Sequence, residues 1–141
     1  MTIERTEKTR EIAKKFLAHL FQGNAQGIGN MFEGKDAGWT VLGVNEEFPV
    51  ARMYRFNEIN DLFKALKPAS ARGGNADVLG IFADGDRAFV EIHVKGTSSS
   101  GKQYNNRVLF SIHTGATGII LIEEYLDTRH LHEILSSTDV K

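Results

Sequence analysis

The second half of the chain constrains its fold most, because four long β-rich runs follow one another there with only short connections between them. The runs span residues 76–83, 87–95, 103–114 and 119–126. Asp84-Gly85-Asp86 joins the first two runs, and residues 115–118, which begin and end with glycine, join the last two. Short turns of this kind connect strands that pair antiparallel. The sequence therefore predicts a large antiparallel sheet in the C-terminal half.

The first half of the chain favours helices. Ile12, Phe16 and Leu20 recur at helical spacing within residues 6–22, and Asn24 is placed to cap a short second helix. The other predicted elements are a strand over residues 37–44, a loop over 45–56, a third helix between Asn57 and Pro68, and a closing helix capped by Asp127 or Thr128. This order predicts an α+β fold in which a curved antiparallel (mixed) β-sheet wraps around N-terminal helices and leaves a cone-shaped cavity, within one domain, 1–141.

Composition narrows the possible partners. The 17 Lys and Arg residues are balanced by 18 Asp and Glu, so the net charge of -1 supplies no basic surface for nucleic acid. The absence of cysteine excludes disulfides, thiolate nucleophiles and iron–sulfur clusters. No apolar run approaches the ~20 residues of a membrane-spanning helix, and the charged N-terminus is unlike a signal peptide. We therefore expect a cytoplasmic protein with no nucleic-acid partner and no membrane partner.

Three segments carry a resemblance to a known group of proteins: FPVARMYRFNEINDLF (48–63), VEIHVKGTSSSGKQYNNRVLF (90–110) and GIILIEEYLDTRHL (118–131). Two short motifs stand out within them, Tyr104-Asn105-Asn106 and Glu124-Tyr125-Leu126-Asp127. In these residues the chain resembles the SnoaL-like, ketosteroid-isomerase-like branch of the nuclear transport factor 2-like superfamily. The resemblance implies a SnoaL-like domain with a largely apolar pocket for a small molecule. It implies no single reaction, because the superfamily includes isomerases, cyclases, dehydratases, epoxide hydrolases and binding domains.

The candidate catalytic residues are Glu124, His93 and Glu91. Strand alternation puts Glu91 and His93 on one face of their strand, and the resemblance implies that this face is concave and is shared with Asn106 and Glu124. A carboxyl group desolvated by an apolar pocket, beside an imidazole, is suited to acid–base chemistry. We therefore predict a raised pKa for Glu124 with His93 as its partner, and neither a cofactor nor a metal. Two alternatives stay open: Glu91 and His93 could form a structural polar layer with each other or with Arg107, or Glu91, His93 and Glu124 could bind a metal as a facial triad.

Aromatic residues supply the candidate ligand contacts. Aromatic residues on the predicted strands and in the central loop are suited to the wall or mouth of a pocket, and so is the amide of Asn106. These candidate ligand contacts are Trp39, Phe48, Tyr54, Tyr104, Asn106 and Phe110. A tyrosine hydroxyl in such a pocket can also donate a hydrogen bond to a developing oxyanion. Packing in the core or at a dimer interface is the alternative role for each ring.

Two functions are compatible with these features. The first is a small-molecule-binding domain that works as a cofactor-free acid–base isomerase, dehydratase or cyclase on a small apolar molecule. The second is a non-catalytic ligand-binding or dimerisation module. In either case we predict a homodimer, because the sheet face opposite the predicted site carries apolar residues, namely Val90, Ile92, Val94, Leu121 and Tyr125. The serine-rich loop over residues 96–102 is predicted to bury nothing and to be mobile.

Overall fold

The order of helices and strands is given by a computed structural model that describes residues 2–138. The helices are α1 (Thr2–Phe21), α2 (Ala25–Gly29), α3 (Ile59–Leu66), which continues into a 3-10 turn (Lys67–Ser70), and α4 (Thr128–Thr138). The strands are β1 (Gly38–Val41), β2 (Met53–Arg55), β3 (Gly74–Asp84), β4 (Arg87–Thr97), β5 (Gln103–Thr114) and β6 (Ile119–Tyr125). None of the helices within residues 2–138 has the length and apolarity needed to cross a membrane.

All six strands form one sheet in the order β2-β1-β6-β5-β4-β3. Every neighbouring pair is antiparallel except β1 and β6, which run parallel. The predicted α+β fold with a mixed, mostly antiparallel sheet around N-terminal helices is therefore confirmed. The parallel pair matters for the site, because it sets Trp39 of β1 beside Ile122 of β6, two residues before Glu124.

The central segment differs from its predicted form. β2 lies inside the stretch interpreted as a loop, and it pairs Tyr54 with Trp39 at the edge of the sheet. β1 is shorter than predicted, since it ends before Gly43, whose φ of 146° belongs to a conformation that side-chain-bearing residues rarely adopt. A strand of three residues is too short to show the alternation of apolar and polar residues, so no sequence pattern predicted β2.

The N-terminal helix is tied to the turns of two hairpins. Thr9 Oγ1 donates to the Gly85 carbonyl at 2.7 Å, and the Gly85 amide donates to Thr6 Oγ1 at 2.8 Å. Arg5 reaches the other turn, where its guanidinium donates to the Gly115 carbonyl at 2.6 Å. These bonds hold α1 across the concave side of the sheet, which we call the inner face. Phe16 of α1 is fully buried there.

The two faces of β4 are the reverse of the prediction, which put Glu91 and His93 on the concave side and the apolar residues on the opposite side. Val90 and Ile92 are 0% and 3% exposed and belong to the core, with Val94 packed against it, so these three residues do not form a dimer interface. The opposite, outer face of the sheet does carry exposed apolar side chains, chiefly Phe82 and Phe89, which were not in the predicted set, and Tyr125, which was. The apolar alternation of β4 marks the buried side of a strand, as it does in most half-buried sheets.

The connection from β4 to β5 is held in place by hydrogen bonds. Ser98 has no exposed surface, and its hydroxyl accepts from the Lys102 amide at 3.1 Å. The Ser99 amide donates to the Pro68 carbonyl at 2.9 Å, which links this turn to the 3-10 turn after α3. The expectation that this loop buries nothing is therefore wrong.

Candidate functional site

A cavity of about 980 Å³ lies between the inner face of the sheet, α3 and the end of α1. We call its buried part, formed by Trp39, Phe110 and Glu124, the floor. Its exposed border, which we call the mouth, carries Phe21, Asn60, Lys64 and Lys67. The walls between them are mainly apolar and include Phe63, Leu66, Ile92, Val94, Val108 and Leu126. Small-molecule sites are typically of this size, roughly 300–1,000 Å³, and of this composition.

Glu124 is the central polar group of the floor. Of the described residues that line the cavity, it alone carries a carboxyl group, and only 5% of the residue is exposed. Strand pairing sets it between Phe110 of β5 and Val41 of β1, both buried. Burial raises the pKa of the Glu124 carboxyl to about 7, and a hydrogen bond from Trp39 opposes part of this rise. The group therefore changes its charge near neutral pH, as a general acid or base must.

Trp39 fixes one oxygen of that carboxyl group. Its indole Nε1–H donates to Glu124 Oε1 at 2.8 Å. The indole is itself held by edge-on contacts to three phenylalanine rings, with centroid distances of 5.3 Å to Phe16, 5.5 Å to Phe110 and 6.3 Å to Phe63. Such edge-on pairs are a favourable arrangement of aromatic rings. Because Trp39 engages Oε1, the second oxygen, Oε2, is the one available for proton transfer.

Tyr104 adds a hydrogen-bond donor to the cavity wall. Its hydroxyl oxygen accepts from Asn106 Nδ2 at 3.0 Å, and its ring stacks on His130 at 5.3 Å. Burial raises the pKa of Tyr104, so the hydroxyl stays protonated and keeps a proton to donate. Asn106 does not itself line the cavity. It exchanges two hydrogen bonds of 3.1 Å with the backbone of Asp127 and so fixes the start of α4.

Glu91 and His93 lie on the outer face of the sheet, and their predicted partnership with Glu124 is wrong. Glu91 forms an ion pair of 3.7 Å with Arg107, and His93 hydrogen-bonds to Asn105, also on β5. The interpretation as a structural polar layer with Arg107 matches this placement for Glu91. The error came from the resemblance, which put these residues on the concave face against the evidence of the apolar residues that alternate with them.

A metal triad of Glu91, His93 and Glu124 is also ruled out by this placement, since the sheet separates the first two from the third. Among residues 2–138, no group of three or more metal-ligating side chains converges on one point.

The other predicted ligand contacts divide into two groups. Trp39, Tyr104 and Phe110 line the cavity. Phe48 and Tyr54 are buried elsewhere, where Phe48 packs edge-on against His132 at 5.8 Å and Tyr54 donates to the Val50 carbonyl at 2.8 Å. These two rings therefore stabilise the central loop and β2 and do not reach the cavity.

Sequence reasoning missed the contribution of α3. Phe63 was not among the candidate ligand contacts, yet it lines the cavity, and so do Asn60, Lys64 and Lys67. Asn60, Lys64 and Lys67 are spaced i, i+4 and i+7, which places them along one side of a helix. That spacing was visible in the sequence, although it did not show that the side faces a cavity.

Solved structures share this architecture. An NTF2-like protein from Burkholderia xenovorans LB400 is 21% identical, with a TM-score of 0.71, and the match covers 92% of this chain and 97% of that one. A proposed SnoaL-like polyketide cyclase from Jannaschia sp. CCS1 is 10% identical, with a TM-score of 0.75 and 94% of both chains covered. TerC, co-crystallised with polyporic acid, is 16% identical, with a TM-score of 0.76 and coverages of 91% and 98%.

These likenesses confirm the expected fold, which is that of the nuclear transport factor 2-like proteins, including SnoaL-like and ketosteroid-isomerase-like ones. At such low identities they show the fold alone. No protein-family model matches the sequence, and the search of curated proteins found no match. The function of this chain must therefore be inferred from the residues of the cavity.

Proposed function

We propose that the cavity binds a small, largely apolar molecule and that Glu124 carries out cofactor-free acid–base chemistry on it, of the isomerase, dehydratase or cyclase type. One observation carries the proposal: among the described residues that line the cavity there is a single carboxyl group, that of Glu124, which is buried among apolar side chains and has a pKa of about 7 and one oxygen fixed by Trp39. TerC, co-crystallised with polyporic acid, and the proposed polyketide cyclase support a small-molecule role for this fold.

The roles divide between three side chains. Ionised Glu124 takes a proton from the ligand through Oε2 and returns it at a second position, so that no cofactor is consumed. Trp39 is a positioning residue, because it holds Oε1 and leaves Oε2 free. Tyr104 donates its hydroxyl proton in a hydrogen bond to negative charge that develops on the ligand, since Asn106 already occupies the oxygen as a donor.

The proposal can be tested without the natural ligand by using 5-nitrobenzisoxazole, a small apolar probe of carboxylate bases. Removal of its ring C–H proton by a base breaks the N–O bond and releases a coloured phenolate. We expect turnover that rises with pH and is half-maximal near the Glu124 pKa of about 7. Glu124→Gln should abolish this turnover, because an amide cannot accept the proton.

The matched control is Glu91→Gln, which removes a carboxyl group on the outer face and should leave turnover unchanged. Binding is followed separately by the fluorescence of Trp39, the only tryptophan, which lines the cavity. Turnover that survives Glu124→Gln would contradict the proposed chemistry. A Trp39 response without turnover would instead favour the non-catalytic ligand-binding module.

A further inference from the structure

The charges around the cavity are unevenly distributed. Lys64 and Lys67 stand at the mouth with exposed side chains, on the side of α3 and its 3-10 continuation that also carries Asn60. Within residues 2–138, neither lysine takes part in a side-chain ion pair of the kind that Lys14 makes with Glu11. The carboxyl group of the lining, on Glu124, lies at the floor. The mouth is therefore positive in a chain whose net charge is only -1.

Lys95 does not add to this charge at the mouth. It borders the cavity from β4, but it follows the inward Val94 and has the same parity as His93 on the outer face. The positive charge at the mouth thus comes from α3 and the residue that follows it.

This distribution discriminates between ligands by their charge. An anionic group at the floor meets a carboxyl group inside an apolar wall, where charge is poorly solvated and like charges repel. A cationic group at the mouth meets two lysines. An anionic group at the mouth, in contrast, keeps its contact with water and gains two ammonium partners, while an apolar body fills the space between Phe63 and Phe110.

We infer that the ligand is an amphipathic organic anion, whose apolar body enters the cavity and whose carboxylate stays at the mouth between Lys64 and Lys67. This inference rests on the proposed ligand-binding role of the cavity and specifies the class of ligand. The inference also gives the orientation of the ligand: its carboxylate stays at the mouth, and its opposite, apolar end contacts Glu124.

Three probes with the same ten-carbon chain test it: decanoate, decanol and decylamine, each titrated against the intact protein and followed by Trp39 fluorescence. Exposed ion pairs are weak, so we expect decanoate to bind about fivefold tighter than decanol at low ionic strength, with decylamine weakest. The preference should disappear at about 0.5 M salt, where exposed charges are screened. It should also disappear in the double variant Lys64→Gln/Lys67→Gln, while decanol affinity stays unchanged.

Lys35→Gln is the control, because Lys35 is exposed and does not line the cavity, and it should keep the full preference for decanoate. Equal affinity for decanoate and decanol, tighter binding of decylamine, or a preference that survives the double variant would overturn the inference and leave the binding function standing. Failure of all three probes to change Trp39 fluorescence would count against the binding function itself.

Discussion

Replacement of Glu124 by glutamine should make the protein more resistant to a rise in pH. Glutamine matches the neutral carboxylic acid in shape and keeps a carbonyl oxygen that can accept from Trp39 Nε1–H, as Oε1 does at 2.8 Å. It cannot ionise inside the apolar floor. We therefore expect Glu124→Gln to fold normally and to remove one specific, pH-dependent contribution to the free energy of unfolding.

The size of that contribution comes from the pKa. The Glu124 pKa is about 7 in the folded protein against its usual value of 4.5, and at about 1.4 kcal/mol per pKa unit the difference corresponds to roughly 3 kcal/mol. Between these two pH values the unfolded chain releases the proton and the folded protein keeps it. The wild-type protein must therefore lose stability as pH rises from about 4.5 to about 7, and the loss should level off above that pH.

The assay is urea unfolding of both proteins at intervals from pH 4 to pH 8, followed by circular dichroism. At pH 4 the two free energies of unfolding should be similar, and by pH 8 the variant should have gained about 3 kcal/mol relative to the wild type. Glu46→Gln, at an exposed position, should show no such trend. A difference between Glu124→Gln and wild type that does not change with pH would mean that burial does not hold the proton on Glu124.

Three further predictions concern the neighbourhood of the site and the surface. Trp39→Phe keeps a ring but removes the donor to Glu124, so the Glu124 pKa should rise above about 7 and the free energy of unfolding should fall by about 1–3 kcal/mol, as measured by NMR titration and urea unfolding. We propose that the chain forms a homodimer through the outer face; sedimentation velocity at micromolar concentration should show a dimer that Phe89→Glu dissociates, and a monomeric wild type would contradict this. Gly118→Ala should destabilise the fold by more than about 1 kcal/mol in urea unfolding, because a Cβ atom there would lie 2.5 Å from the Met31 carbonyl oxygen.

Much of the fold could be predicted from the sequence because its signals are local. Asn24 accepts a hydrogen bond from the Gly27 amide, and Asp127 accepts one from the His130 amide at 3.0 Å, so both predicted caps are confirmed. The bounds of β5 also agree with the prediction, since glycine-containing turns flank a long β-rich run. Short elements without alternation, such as β2, give no comparable signal.

The candidate site was only partly predictable, because it depends on pairing between distant segments. Glu124 was expected on the concave face of the sheet and lies there, but its bond to Trp39 follows from the parallel pairing of β1 with β6, which no local pattern encodes. The side assigned to Glu91 and His93 was a different kind of error. Buried Val90 and Ile92 alternate with them, and the hydrophobic pattern of β4 taken alone predicts the observed arrangement.

We propose that burial alone, without help from His93, holds the proton on Glu124 near neutral pH. NMR titration of the side-chain carboxyl carbon measures the pKa of Glu124, with the Glu124 signal identified by its loss in Glu124→Gln. The structure predicts an apparent pKa of about 7, unchanged in His93→Ala. A value near 4.5, the usual value for glutamate, or a pKa that moves when His93 is replaced, would mean that burial alone does not hold the proton.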